Sequence, residues 1–330
     1  MSPDSQRLLS GDLQATSWDA TTGQNVVTYG TEDANVVGAV GGVAWSPDGK
    51  HVAVTHIRQL PVKIYNATTG ELEGEYDPGS LALNNPSPFA PLSFSSSHAP
   101  TSSGGPGAFL TAWSPDGKRM ATSFVHTLAN AYPVQIWDTS TKQMLLNYTD
   151  QTNYLQTLAW SYDGKYILSS SLDGQSTQVW DSQTGKHVLD LESDYSETSV
   201  AWSPNKDLIA YSVDNINGDH KVVGYTVKLI DVVTGEVLLT HSTPLSNTDQ
   251  LAGPLSFFLV NLAWSPGGRS IASGGSSIQL WDTTTGKTYY TFTDQGYFIR
   301  DLTWSPNGEY IASIDVQIGV LRKLRVWIAR

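Results

Sequence analysis

One short phrase recurs along this chain and limits what it can fold into. "AWSPDGK" stands at Ala44–Lys50 and again at Ala112–Lys118, and variants follow as "AWSYDGK" from Ala159, "AWSPNKD" from Ala201, "AWSPGGR" from Ala263 and "TWSPNGE" from Thr303. A catalytic motif is needed once, whereas a phrase repeated in phase is a building unit. Aligned on Trp45, Trp113, Trp160, Trp202, Trp264 and Trp304, the copies follow apolar or alternating runs such as "FLTAW" and "FLVNLAW". After the Trp, Pro presets φ for one turn corner, Asp or Asn suits the next, and Gly takes a positive φ without a Cβ clash. The phrase therefore predicts a hairpin, whose second strand follows as "HVAVT", "RMATSF", "YILSS", "LIAYS", "SIASG" and "YIASI".

After a variable connection comes a third strand ending in another turn: "VKIYNATTG", "VQIWDTSTK", "TQVWDSQTG", "VKLIDVVTG" and "IQLWDTTTG". A fourth strand closes each unit, for example "QMLLNY" or "KTYYTF". Four strands in a step of about forty residues is the pattern of a β-propeller blade.

With these signatures in place, the chain resembles WD-repeat propellers of the bacterial type. The Trp-Asp pair itself stands at Trp137–Asp138, Trp180–Asp181 and Trp281–Asp282, and in altered form at Tyr65–Asn66 and Ile230–Asp231. The resemblance runs along essentially the whole chain. It implies a non-enzymatic scaffold that binds a protein or peptide, with no cofactor. In one respect the chain departs from the family: the expected Gly-His pair ahead of the first strand is replaced around Gln151, Ser193, Leu255 and Gln295. The family's buried His–Ser–Asp–Trp network is therefore not expected here.

The expected fold class is all-β, a single seven-bladed β-propeller of four-stranded antiparallel blades with the first and last blades incomplete. "SPDSQRLLSGDLQATSWDATTG" (Ser2–Gly23) aligns without a gap on "SPGGRSIASGGSSIQLWDTTTG" (Ser265–Gly286), so Met1 falls where a first-strand Trp belongs. The repeat units are approximately 1–36, 37–77, 106–150, 151–193, 194–242, 256–294 and 295–330, with 77–108 an inserted loop between blades. The alternative is a six-bladed ring in which "QNVVTY" (Gln24–Tyr29) completes the last blade. On the seven-blade reading "KLRVWI" is an open strand edge, which leads to the expectation that the natural protein is longer or that a strand from another chain fills the gap; self-association is thus a second reading.

The turns after first and third strands are short, and variation gathers at the other ends of the strands. There lie the Pro-, Ser- and Gly-rich insertion 77–108, Ser242–Leu255, "HIRQLP" (His56–Pro61), "VHTLANAYP" (Val125–Pro133) and "VDNINGDHKVVG" (Val213–Gly224). Diverse loops on one face of a rigid scaffold point to a binding face. His56, Arg58, His126, Tyr132, Tyr154, Tyr195, His220, Phe257, Tyr297 and Phe298 fall on or beside these connections and are the candidate partner-binding residues, since aromatic anchors dominate interfaces.

Other chemistries find little support. The seven His residues have no metal-ligand spacing, and "GKT" at Gly286–Thr288 lacks the remainder of a phosphate loop. The Asp214–Asp219 stretch is rich in oxygen ligands, but its register puts Gly224 where a calcium loop needs Glu. There is no G-x-S-x-G elbow, and the repeated Asp residues read as turn caps. A net charge of −12 argues against nucleic acid or an anionic membrane. Cysteine is absent and no apolar run reaches membrane-spanning length. The location expected is the cytoplasm, or the extracytoplasmic domain of a longer protein. A central-pocket enzyme or small-molecule binder would need convergent ionisable groups, and none is evident.

Overall fold

The computed structural model describes every residue except 12, 31–39, 57–58, 77–106, 126–131, 152, 172–176, 192–198, 220–221, 245–259, 276, 294–297, 318–319 and 330. Among the described residues the regular elements are all strands. They form seven antiparallel sheets in chain order, and the fold class is that of a seven-bladed β-propeller. The first sheet has three strands, β1 (Arg7–Gly11), β2 (Ala15–Asp19) and β3 (Val27–Tyr29). The second is β4 (Val40–Trp45), β5 (His51–His56), β6 (Gln59–Asn66) and β7 (Leu72–Tyr76). The third is β8 (Gly107–Trp113), β9 (Arg119–Val125), β10 (Val134–Asp138) and β11 (Met144–Tyr148). The fourth is β12 (Leu155–Trp160), β13 (Tyr166–Ser171), β14 (Thr177–Asp181) and β15 (His187–Leu191). The fifth is β16 (Val200–Trp202), β17 (Leu208–Ile216), β18 (Val222–Asp231) and β19 (Val237–Pro244). The sixth is β20 (Asn261–Trp264), β21 (Ser270–Gly274), β22 (Ile278–Asp282) and β23 (Thr288–Phe292). The seventh has three strands, β24 (Phe298–Trp304), β25 (Tyr310–Gln317) and β26 (Val320–Ile328).

The contacts gather into two units. One holds Gln6–Leu158 with Ser2; the other holds Ala159–Arg330 with Met1 and Pro3–Ser5. Within each unit the core lies between neighbouring sheets, where apolar residues at alternate strand positions interlock. In the first unit Ala15, Tyr29 and Leu9 pack on Val52, Val54 and Tyr65, and Ile64 and Tyr76 pack on Met120 and Trp137. In the second, Leu168 and Val179 meet Ile209 and Ile230; Val227 and Leu229 meet Ile271 and Trp281; Ile278 and Leu280 meet Leu302 and Ile311.

The recurring Trp residues of the first strands belong to these seams. Trp160, Trp202 and Trp264 are buried, and Trp45, Trp113 and Trp304 are half-buried. Trp264 Nε1 donates to Ala201 O and Trp304 Nε1 to Ala263 O, each at 3.1 Å and each into the preceding sheet. Three third-strand Trp residues keep a part of the family network. Trp180 donates to Ser169 Oγ (3.0 Å), Trp281 to Ser273 Oγ (3.3 Å) and Trp327 to Ser313 Oγ (3.0 Å), so the Trp–Ser half of the family network is present. A buried indole N–H needs an acceptor, and in these three sheets a Ser on the adjacent second strand supplies it, whereas Trp137 Nε1 has no hydrogen-bond partner among the described residues.

Both turn signatures act through side-chain caps. Ser46 Oγ donates to Asp48 Oδ1 (2.6 Å) and accepts the His51 N–H (2.9 Å), with Gly49 at φ 71°. Ser114 and Asp116, Ser161 and Asp163, and Ser305 and Asn307 repeat the arrangement. At the second turn the Asp138 carboxylate accepts the N–H groups of Ser140 (2.9 Å) and Thr141 (2.7 Å), and Asp19, Asn66, Asp181, Asp231 and Asp282 do likewise. Bonds from the Thr141 N–H first, then from the Ser140 and Thr141 hydroxyls, hold Asp138 down at a pKa of about 2 from its ordinary 3.8. The folded value lies below the unfolded one, so the capped turn is fully favoured above pH 3.8 and loses that advantage as pH falls through about 2. A carbon-detected NMR titration should place the Asp138 midpoint near 2. A midpoint at the ordinary carboxylate value would show that it does not cap the turn.

The six-blade alternative fails on β3, which pairs with β2 through Ala15↔Tyr29, Thr16↔Thr28 and Ser17↔Val27. The "QNVVTY" segment therefore completes its own sheet. In the seventh sheet β26 pairs with β25, and no fourth strand follows among the described residues. Leu324 and Val326 are 42% and 41% exposed, whereas Ile278 and Leu280 at the same positions of β22 are 1% and 0% exposed. No described helix is long and apolar enough to cross a membrane.

Candidate interaction surfaces

Strand β5 carries one side chain of interest at each end. His51 opens it beside the short Ser46–Lys50 turn, and His56 closes it where the variable connection begins. The two lie roughly 17 Å apart at the usual rise of a strand.

At the variable end, three of the ten candidate residues have described side chains. His56 is buried, not presented to solvent, and its Nδ1 has no hydrogen-bond partner among the described residues. Burial first, and then the charge of Lys63, pushes its pKa below the ordinary imidazole value. A neutral, enclosed imidazole suits packing at the loop base. Tyr132, just before β10, and Tyr154, just before β12, meet with ring centroids 5.0 Å apart and planes tilted by 55°. Tyr132 is buried and Tyr154 half-buried, and burial raises the Tyr154 pKa with a smaller contribution from Tyr132. These are two phenols from the bases of two connections, one mostly covered and one offered. Phe298 begins β24. Arg58, His126, Tyr195, His220, Phe257 and Tyr297 lie outside the described residues, as does 77–106 of the inserted loop. The first half of the Asp214–Asp219 stretch is strand: Asp214, Asn215 and Ile216 end β17, and Thr226 Oγ1 donates to Asn215 Oδ1 at 3.0 Å. No group of three or more metal-binding side chains occurs among the described residues.

At the opposite end lies a feature the repeat pattern alone did not reveal. A cleft of about 570 Å³ opens between the second and third sheets. Pro47, Pro115, Ile64, Trp113 and Tyr76 give it apolar walls, and Asp48, His51, Glu73, Asp116 and Lys142 line it with charge. The His51 ring stacks on Trp113 with centroids 6.4 Å apart, and its Nε2 lies 3.2 Å from Glu73 Oε2. Glu73 Oε1 accepts from Asn66 Nδ2 at 2.9 Å, so both carboxylate oxygens are engaged. Asp48 and Asp116 are engaged by the Ser and N–H donors of their own turns. Tyr76 packs edge-on against Trp137 and donates its hydroxyl to Thr139 O at 3.0 Å. Burial first, with the Asp138 charge second, drives its phenol up to about 12.

Two segments of the chain, residues 142–181 and 286–327, match the family described as WD domain, G-beta repeat. THO complex subunit 3 of Arabidopsis thaliana is 26% identical over 230 residues, which is 63% of this chain and 67% of that protein. The repeat matches and the seven sheets together support a WD-repeat β-propeller. The relative is a plant protein, so the comparison does not show the bacterial type.

Proposed function

We propose that the chain is a non-enzymatic scaffold that binds a protein or peptide through the end of the sheets bearing the long connections. What carries this reading is the segregation of connection length. The turns joining first to second and third to fourth strands are stereotyped and capped by their own side chains. The other ends of the same strands carry the segments that differ in length and composition from unit to unit. Rigid sheets holding diverse loops lower the ordering cost of binding. The relative named as a complex subunit supports an assembly role. Tyr132 and Tyr154 are the described residues best suited to begin such an interface, with Tyr154 as the accessible ring.

Replacing 78–105 by a short Gly-Ser linker is the test. The thermal midpoint should stay close to the parent's, because loop length alone costs little. Capture of interacting proteins from the source cell's lysate, read by quantitative mass spectrometry, should fall for the same partners the parent retains. Unchanged capture by a folded, shortened protein would remove this segment from the binding face.

A further inference from the structure

Five sheets carry a fourth strand outside the third, whereas the outer edge of β26 in the seventh has no strand paired to it among the described residues. Both faces of β26 register the difference. Leu324 and Val326 on one face are exposed, where Ile278 and Leu280 of β22 are buried. Trp327 on the other face is half-buried, where Trp180 and Trp281 are fully buried. Loss of cover on both faces is what an absent neighbouring strand produces, because cross-strand neighbours shield side chains on either side of the sheet. The turn that would lead outward is altered as well. In the six other sheets it is capped by Asp19, Asn66, Asp138, Asp181, Asp231 or Asp282. Ile328 holds that place in β26, opposite Tyr310 as Asp282 is opposite Ser270, and its side chain has no acceptor to offer.

The complete sheets define what fits this edge. Arg325 faces Ser313 as Gln279 faces Ser273 and Lys63 faces Val54, so the three hold equivalent places. The fourth-strand residue opposite that place is always polar: Glu75, Asn147, Asp190, Thr240 or Thr291. Opposite the equivalents of Leu324 it is large: Tyr76, Tyr148, Leu191, His241 or Phe292. Opposite the equivalents of Val326 it is Gly74, Leu146, Leu189, Leu239 or Tyr290. A matching strand therefore alternates apolar, polar, large.

Charge decides the polar place. The chain has 19 Lys and Arg against 31 Asp and Glu, yet Arg322, Lys323 and Arg325 fall within the nine residues of β26 with no acid among them. The three strands of this sheet hold two acids, Asp301 and Asp315, against four basic residues, and both acids lie on the inner strands. Of the two lysines at the place equivalent to Arg325, Lys63 faces the acid Glu75 and Lys228 faces Thr240, so the chain itself uses an acidic partner there once. The same basic residues count against a second copy: pairing β26 with its own counterpart would set them against each other, and like charges across a ladder are destabilising. We propose that the outer edge of β26 takes an extended acidic peptide of a partner protein as a fourth strand, antiparallel to β26. A carboxylate stands opposite Arg325, and apolar side chains stand opposite Leu324 and Val326. In such strand addition main-chain hydrogen bonds supply affinity and alternate side chains supply specificity. The site is separate from the long connections and does not rest on their role.

The test uses fluorescein-labelled octapeptides with a Leu-Glu-Tyr-Glu core between Thr and Ser residues, and versions with Gln or Lys in place of both Glu residues, read by anisotropy. The Glu peptide should bind at least about tenfold more tightly than the other two, and added salt should weaken it, since screening acts on exposed charges. Its binding should slow amide hydrogen exchange along β26. N-methylating alternate core amides of the peptide, which removes ladder donors and no charge, should abolish both effects. Arg325→Gln should erase the preference and Arg325→Glu should turn it toward the Lys peptide, with unfolding midpoints near the parent's. The protein with 78–105 replaced should bind the Glu peptide as the parent does, which separates failure at this edge from failure at the loops. Equal binding of the three peptides, no binding of any at millimolar concentration, or undiminished binding of the N-methylated peptide would overturn the inference. Concentration-dependent dimerisation that protects β26 without peptide would assign the edge to a second copy and overturn it as well.

Discussion

Trp281→Ala should lower the unfolding free energy by about 3–5 kcal/mol, the range for deleting a large buried aromatic. The Trp281 ring is fully buried on β22 and serves two sheets at once. His241 from β19 stacks on it with centroids 4.6 Å apart and planes 12° from parallel. Val227, Leu229 and Ile271 close around the same seam. Truncation removes the ring and leaves a cavity that the rigid strands on either side cannot collapse to fill. It also strips Ser273 Oγ of the indole N–H it accepts. Leu145→Ala, at an exposed position on β11, is the matched control and should shift stability by less than about 0.5 kcal/mol. Urea titrations of both variants measure the difference. A Trp281→Ala loss near that of Leu145→Ala would mean that the third-strand Trp does not join the sheets, and the seam between β19 and β22 would have to be redrawn.

The same Trp shows why so much of this fold can be read from the sequence. A strand has a period of two and its turns need particular φ values, so both leave marks in residue type: β-branched and aromatic alternation, then Ser-Pro-Asp-Gly or Asp-x-x-x-Gly. Seven sheets, their order and the turn-capping role of Asp138 and Asp181 follow from those marks. The blade count also followed, because Ser2–Gly23 matches Ser265–Gly286 residue for residue and so fixes β1 and β2 as second and third strands. Side-chain burial at loop bases left no such mark. His56 and Tyr132 look alike in sequence to exposed binding residues, yet both are covered, because burial at a strand end is set by packing and not by residue type.

Harder to read was the cleft, and for a different reason. Gly74 and Lys142, which both line it, are ordinary residues in their own segments; the cleft arises where the fourth strand of one sheet meets the turn of the next. Aligning the units would have flagged a Gly among Leu146, Leu189, Leu239 and Tyr290, and a Lys among Gly23, Gly70, Gly185, Gly235 and Gly286. That these two exceptions touch is a fact of packing between sheets, which a repeat alignment treats as independent columns.

Packing between sheets also underlies the expectation for Tyr29, the last residue of β3. Its ring is buried against Tyr65 of the second sheet, with centroids 6.1 Å apart. Its hydroxyl donates to Ala67 O at 2.8 Å and lies 2.7 Å from Ser17 Oγ. Tyr29→Ala should therefore cost about 3–5 kcal/mol. Tyr29→Phe, which keeps the ring and orphans the Ala67 carbonyl, should cost about 1–3 kcal/mol. A double-mutant cycle between Tyr29 and Tyr65 should give a coupling of about 0.5–1.5 kcal/mol, as for other aromatic pairs. Burial first, opposed in part by the Ser17 bond and the Arg7 charge, holds the Tyr29 phenol above its ordinary 10.0. With the folded value raised, the neutral phenol's contribution is complete below pH 10.0 and is lost as pH rises through the folded value. The Phe variant lacks that ionisation, so its stability difference from the parent should narrow in strong alkali. If β3 instead completed a different sheet, Tyr29 and Tyr65 would not couple. Additive single-variant losses, with no alkaline convergence between parent and Phe variant, would return the Gln24–Tyr29 segment to the last blade.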